Sequence, residues 1–570
     1  LRSMDTQVRE HKAAAAVFKG AAVLGLATIV SKLLGTLQKI PLQNIAGDGV
    51  FGIYNAVQPI YLLILTLATA GFPVAVSKFV SEHMALGERE EAKRVTAVAA
   101  AVLAVSGIAG FALLFWGAGS IAAFMGVRQS ERAIQSVAFA LLLVPVMSVL
   151  RGYYQGQHNM VPTAVSQVVE QLFRVAVMLG LLFYMLEGGF GDSWVAAGAT
   201  FGAAAGAAAG LVVMLLYWRR GRTSPGPQAQ AKPNEREQPE EHAARIEERG
   251  RLRQGGREPT AALLRRFLAY ALPVGFGSLV VPLLALVDSF TIPRLLMQAG
   301  SGEEEAIASF GLYNHGQPLV QLVVMIAGSM SAALIPAVAA ARLKREKDLI
   351  ASRAAMTMRF TWLLGLASAL GLAVAAPQLN VMFFASADGS LPMAIIAFTA
   401  LFGTISVVSG SILQGLGLAG TPARNLLLAA IAKLALNALL VPAYGIAGAA
   451  VAAVLAYALA AALNVARLRR CTGVAATGGA GLAKPLAAAA AMCAAVWATA
   501  AGVEALLAAL PHAPSHRIAQ TAAALAAVCA GALVYAAALL RGGTLTRHEL
   551  AHMPGFGKLQ PLLERLRLLR

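Results

Sequence analysis

The sequence predicts an all-α polytopic membrane protein of about fourteen transmembrane helices, built as two six-helix lobes in parallel repeat plus two C-terminal helices. Three observations predict it. The 570 residues are 58% hydrophobic and 13% charged, with a mean hydropathy of +0.67, whereas soluble domains carry roughly 25% charged residues. The apolar residues gather in blocks, many of them longer than the ~18 residues that mark a membrane-spanning helix. A polar and aromatic motif occurs twice, 259 residues apart.

The apolar segments run over residues 14–39, 52–79, 95–118, 134–155, 162–186, 194–218, 264–297, 308–339, 354–376, 391–415, 421–441, 445–467, 484–508 and 515–540. The first is too long for a signal-peptide core and lacks a small-residue cleavage site, so it reads as a retained helix. Alternate threading sorts the loops by charge. Lys78, Arg89, Lys93 and Arg94 fall on one side, with Arg219, Arg220, Arg222, Arg342, Lys344, Arg345, Lys347, Arg467, Arg469 and Arg470. Asp48, Glu187, Asp192, Glu303, Glu304, Glu305 and Asp388 fall on the other, with Arg128 and Arg132 as exceptions. Cytoplasmic loops are the positive ones, so both termini are expected in the cytoplasm.

Residues 219–262 are hydrophilic and rich in Arg, Glu, Gln, Pro and Gly, which reads as a flexible cytoplasmic linker. The expected organisation is therefore an N-lobe over 1–218, the linker over 219–262, a C-lobe over 263–470 and a remainder over 471–570. Within 558–570, Leu559, Leu562, Leu563 and Leu566 alternate with Lys558, Arg565, Arg567 and Arg570, a basic amphipathic pattern suited to the inner membrane surface. The net charge of +18 lies in loops with no nucleic-acid module around it, so nucleic acid is not an expected partner. Cys471, Cys493 and Cys529 form no CxxC pair. Neither a metal site, a cofactor nor a disulfide framework is expected.

The repeat is the most informative feature. Phe51-Gly52-Ile53-Tyr54-Asn55-Ala56-Val57-Gln58-Pro59 returns as Phe310-Gly311-Leu312-Tyr313-Asn314-His315-Gly316-Gln317-Pro318, and Gln155-Gly156 returns as Gln414-Gly415 at the same offset of 259. Both pairs flank the linker, so segments 1–6 and 7–12 read as two copies in one membrane orientation. Parallel repeats of this kind occur in transporters, with the substrate path between the halves. Segments 13 and 14 have no counterpart.

Ser31-Lys32-Leu33-Leu34-Gly35, Lys39-Ile40-Pro41-Leu42 and Ala70-Gly71-Phe72-Pro73-Val74-Ala75-Val76-Ser77-Lys78 resemble the polysaccharide biosynthesis proteins. These belong to the multidrug/oligosaccharidyl-lipid/polysaccharide exporter superfamily. The chain is most similar to its Gram-positive lipid II flippase and stage V sporulation protein B group, which Val287-Asp288-Ser289-Phe290-Thr291-Ile292-Pro293-Arg294 also resembles. The resemblance implies two lobes in a V shape that open alternately to the two faces of the bacterial cytoplasmic membrane. It further implies a cationic central cavity for the diphosphate and sugars of a lipid-linked precursor. By it, Lys32 matches a cavity arginine, while Gln38-Lys39 replaces an arginine–aspartate pair and Gln317 replaces an arginine.

The residues themselves nominate a site. Lys32 lies among apolar neighbours within its segment, where charge is costly and functional by default, unless it snorkels. Lys39 either enters the cavity or snorkels outward. Asn55 and Gln58, and Asn314, Gln317 and Gln321, form polar stripes at helical spacing, with His315 as a further polar candidate beside them. They suit sugar hydroxyls or, alternatively, interhelical hydrogen bonds. Glu170 and Arg174 are four apart, a spacing for an ion pair that is either structural or opened by cargo. Glu170 and Asp288 are the candidates for a coupling cation or proton, and Arg151 is expected to snorkel to the cytoplasmic headgroups. Gly198, Gly202, Gly206 and Gly210 make a close-packing ridge.

Four functions compete, one of them a non-transporting scaffold for wall-synthesis proteins. A flippase for lipid II or a related polyprenyl-diphosphate glycan fits the excess of intramembrane cations over acids. It would work among membrane lipids and beside cell-wall synthesis proteins. A cation-coupled small-molecule or drug antiporter would favour membrane carboxylates, and only Glu170 and Asp288 qualify. A membrane enzyme would need an acidic metal cluster or catalytic dyad, which the sequence lacks.

Overall fold

Without water in the bilayer core, backbone N–H and C=O groups must be satisfied within the chain, which leaves helices or closed barrels. The computed structural model describes residues 23–69, 71–221, 260–279, 282–474, 482–511 and 514–543, and every regular element among them is helical. The first half holds α1 (residues 23–37), α2 (Lys39–Thr69), α3 (Phe72–Ala85), α4 (Arg89–Met125), α5 (Glu131–Ala138), α6 (Ala140–Gly156), α7 (Val161–Glu187) and α8 (Asp192–Gly221). The second half holds α9 (Thr260–Leu279), α10 (Leu283–Gln298), α11 (Glu303–Tyr313), α12 (Gln317–Leu343), α13 (Lys347–Val374), α14 (Ala376–Phe384), α15 (Ser390–Ile396), α16 (Phe398–Gly415) and α17 (Gly420–Thr472). The chain continues through α18 (Ala483–Ala508) and α19 (His516–Arg541). Most of the expected linker, the amphipathic tail and the start of the first segment lie outside the described residues.

Ten helices among the described residues are long and apolar enough to cross a membrane, against fourteen expected segments. Two of the ten, Val23–Ala85 and Gly420–Thr472, run to 63 and 53 residues. Drawn straight, the shorter would reach ~80 Å, far beyond ~30 Å of hydrocarbon. Each breaks at a glycine with positive φ, Gly47 (φ 78°) and Gly445 (φ 57°), a region that side chains disfavour. A Cβ on Gly448 would collide with the Leu440 carbonyl oxygen, so the chain doubles back at Gly445. The segments expected over 264–297 and 308–339 each appear as two helices, α9 with α10 and α11 with α12.

The repeat is visible as a contact. Gly52 on α2 lies so close to α11 that a Cβ would meet the Ile307 carbonyl oxygen, and Gly311 on α11 lies equally close to the Asp48 carbonyl oxygen. Gly52 and Gly311 are repeat equivalents, and so are Asp48 and Ile307. The two copies therefore cross about an approximate two-fold axis. The second motif pair behaves alike: Gly156 packs on Ser77 and Val80, Gly415 on Ile335 and Val338. Small residues let these backbones approach. Trp116, Leu439 and Leu533 stand exposed on the periphery, as lipid-facing residues do.

Two arrangements go beyond the repeat. Helix α9, at the start of the second half, packs on the first, with the Phe267 ring 4.6 Å from that of Phe79. Helices α18 and α19 pair and dock on the second half, where the Tyr535 hydroxyl donates to the Leu363 carbonyl at 3.0 Å.

The glycine ridge of α8 packs along α7 as expected. A Cβ on Gly206 would lie 2.6 Å from the Glu170 carbonyl oxygen and 2.9 Å from the Arg174 Cβ. Gly206→Leu should force α7 and α8 apart, at a cost at or above the ~1–3 kcal/mol of overpacking against side chains, since the Glu170 carbonyl is helix backbone. Thermal unfolding of the solubilised chain checks this, with Gly180→Leu as control, since a Cβ on Gly180 meets nothing within 4 Å.

Candidate functional site: a polar cavity between the halves

The crossing of α2 over α11 leaves a cavity of about 320 Å³ beside it, lined from both halves. Seven of the nine expected cavity residues line it: Lys39, Asn55, Gln58 and Arg174 from the first half, and Asn314, Gln317 and Gln321 from the second. The stripes arise from helical spacing. The repeat sets their carboxamides alike: Asn55 Nδ2 donates to the Phe51 carbonyl and Asn314 Nδ2 to the equivalent Phe310 carbonyl, both at 2.8 Å. Lys39 Nζ donates to Asn55 Oδ1 at 2.9 Å and has no carboxylate partner among the described residues.

Arg174 and Glu170 form the expected pair, with Nη2 2.8 Å from Oε1. A third member joins them. Arg151 Nη2 lies 2.8 Å from the other Glu170 oxygen and 2.8 Å from Ser166 Oγ. This corrects the expectation that Arg151 snorkels to the headgroups, because α6 and α7 pack so that its guanidinium finds an acid within the bundle. Two arginines on one carboxylate leave the cluster a net positive charge. Arg174 Nε is buried and has no hydrogen-bond partner.

Asp288, a candidate for a coupling cation or proton, lines the cavity from α10. It is the most densely bonded group in the site. Lys433 Nζ lies 2.6 Å from its Oδ2 and also donates to the Leu284 carbonyl at 3.2 Å. The Tyr313 hydroxyl donates to the same Oδ2 at 2.8 Å, and Asn437 Nδ2 donates to Oδ1 at 3.3 Å.

Sequence reasoning missed Lys433, although the repeat pointed to it. Arg174 plus the offset of 259 is Lys433. Pro162 and Pro422 match at 260, which would set Leu434 opposite Arg174, but burial decides the register. Ser166 and Asn425, Met178 and Asn437, and Leu182 and Val441 are all buried, each pair 259 apart. The two halves thus present equivalent cations, Arg174 and Lys433, to one cavity.

Two expected residues lie elsewhere. Lys32 sits on α1, seven residues before Lys39, exposed and outside the cavity lining. His315 lies in a 3₁₀ turn, Asn314–Gly316, next to Asn314 and two residues before Gln317, spacings that do not share a helix face. It is fully buried, with Nε2 2.7 Å from Asp48 Oδ1 and Nδ1 2.8 Å from Asn380 Oδ1, and its ring stacks on Phe384 at 4.1 Å. It ties the halves together beside the Gly52 crossing. Glu170, bound between two arginines, is also outside the lining.

Comparison with known proteins places this architecture. The family model described as polysaccharide biosynthesis protein matches residues 17–342. The uncharacterized membrane protein YabM of Bacillus subtilis (strain 168) is 31% identical over 454 residues, 80% of each chain. The lipid II flippase MurJ of the same organism is 28% identical over 463 residues, covering 77% of this chain and 80% of that one. A solved lipid II flippase MurJ in an inward closed conformation superposes with a TM-score of 0.60 at 10% identity, over 92% of this chain and all of that one; this last match shows the fold.

Proposed function

Because the chain belongs to the polysaccharide biosynthesis protein family, we propose that this membrane transporter is an alternating-access flippase for a polyprenyl-diphosphate-linked glycan. Lipid II or a related glycan is its cargo, carried across the bacterial cytoplasmic membrane with both termini in the cytoplasm. The observation that carries the reading is charge: Lys39, Arg174 and Lys433 face the cavity against the single carboxylate of Asp288. A diphosphate cannot cross ~30 Å of hydrocarbon unaided, and cationic N–H donors replace the water it loses. The carboxamides of Asn55, Gln58, Asn314, Gln317 and Gln321 offer donors and acceptors to sugar hydroxyls. Lys32 on α1 adds a further cation outside the cavity lining.

A cation-coupled drug antiporter is disfavoured by the acids. Such a carrier needs a carboxylate open to a cation, and Glu170 and Asp288 are each already bonded to a basic side chain.

Complementation tests the proposal. In a Gram-positive host depleted of its lipid II flippases, the unsubstituted chain should restore growth. Lys39→Ala and Arg174→Ala should lose that rescue at equal membrane abundance, since each charge-assisted bond removed costs about 1.5–3 kcal/mol, or roughly 10- to 100-fold in affinity. Good expression without rescue would move the cargo to another lipid-linked glycan or a small molecule.

A further inference from the structure

We infer that Arg174 and Lys433 form a two-sided site for one diphosphate, and that filling it loads a proton onto Asp288 but none onto Glu170. The inference rests on the flippase reading and deepens it. Each cation is held by a carboxylate of its own half, Arg174 by Glu170 and Lys433 by Asp288, at 2.8 Å and 2.6 Å. Both line the same cavity, at repeat-equivalent positions on α7 and α17. Arg174 already carries a spare donor, its buried and unpartnered Nε. A ligand with two linked phosphates can draw one cation from each side.

The two carboxylates then fare differently. When Arg174 turns to a phosphate, Glu170 keeps Arg151 at 2.8 Å and stays neutralised. Asp288 has no such reserve. The charged or titratable groups facing it are Lys433 and Tyr457 from α17 and Tyr313 from α11. Lys433 is the one cation among them, and Asn437 adds a neutral donor. Asp288 is 4% exposed and Lys433 2%. Once the diphosphate holds Lys433, Asp288 is a buried carboxylate without a counter-charge, which takes up a proton rather than stay ionised.

The step balances simply. The proton comes from the acid form of the buffer, relayed through water in the cavity, and adds to an Asp288 carboxylate oxygen; the buffer is left as its conjugate base, and Lys433 remains an ammonium. Uptake of a proton on binding means that affinity for the diphosphate falls as pH rises, by up to about tenfold per unit.

Calorimetry on the full chain in nanodiscs tests this, with farnesyl diphosphate titrated in buffers of differing ionisation enthalpy at one neutral pH. The double variant Asp288→Asn/Lys433→Gln, which leaves neither member of the pair to titrate, supplies the baseline for protons taken up by the probe itself. The unsubstituted chain should take up about one proton more per ligand than this baseline. Infrared difference spectra of the unsubstituted chain should gain a protonated-carboxyl band on binding, a readout that needs no variant to fold. Lys433→Gln, which frees Asp288 in advance, should bind at least tenfold more weakly and take up no extra proton. Farnesyl monophosphate should also bind at least tenfold more weakly than the diphosphate. Inorganic pyrophosphate binding as tightly, with the same uptake, would support the site but assign it to soluble diphosphates. Diphosphate binding with neither uptake nor a carboxyl band overturns the role of Asp288 and leaves the flippase standing. No binding of farnesyl diphosphate overturns both.

Discussion

Asp288→Leu is expected to destabilise the chain by about 3–5 kcal/mol, because it strands a buried ammonium. Lys433 is 2% exposed, and its remaining partner would be the Leu284 carbonyl at 3.2 Å. The same change also takes the acceptor from the Tyr313 hydroxyl, which is 2.8 Å from Asp288 Oδ2 in a fully enclosed position. Removing one member of a buried pair costs far more than removing both, since two apolar side chains of similar volume need no solvation. The double variant Asp288→Leu/Lys433→Met should therefore regain most of the lost stability while failing to restore growth in the complementation assay. Thermal unfolding of the solubilised protein separates these results. An Asp288→Leu variant as stable as the parent would show that water reaches Lys433 and that the pair is not a buried one.

The class and the repeat were legible in the sequence because both rest on one-dimensional signals. Apolar block length marks a span, and the offset of 259 ties Phe51–Pro59 to Phe310–Pro318. Most of the cavity followed, since Asn55, Gln58, Asn314 and Gln317 lie inside that very motif. Partners that meet across the bundle were not legible. Arg151 and Glu170 are 19 residues apart, and Asp288 and Lys433 are 145 apart. No local spacing announces such pairs, so Arg151 was assigned to the headgroups and Asp288 to a coupling cation or proton. His315 fails for a different reason. It shares a motif with cavity residues, but it is one residue from Asn314 and two from Gln317, spacings that point it away from their common face. The two helix counts differ because Val23–Ala85 and Gly420–Thr472 run on through Gly47 and Gly445, where the apolar segments part as well, and because 264–297 and 308–339 each form two shorter helices.

The crossing of α2 and α11 carries the second large expectation: Gly52→Val and Gly311→Val should each abolish rescue of growth and lower the unfolding temperature, to similar extents. Overpacking against side chains costs about 1–3 kcal/mol because rotamers can shift. Here the obstacles are the Ile307 and Asp48 carbonyl oxygens, and helix backbone has no rotamer to change. Relief requires the helices to separate, and what they hold goes with them. The His315 contact to Asp48, 2.7 Å long, starts from the residue whose carbonyl Gly311 touches. Asn55 and Asn314, one turn from the two glycines, direct the cavity stripes. Equivalence is the discriminating part of the test. If the approximate two-fold axis is real, the two variants fail alike although the glycines lie 259 residues apart, and combining them adds little, since the first already opens the crossing. Gly25→Val, at a position where a Cβ meets nothing within 4 Å, should leave both readouts unchanged. A Gly311→Val chain that folds and rescues like its parent would mean that the crossing is loose, and that the cavity beside it is held by other contacts.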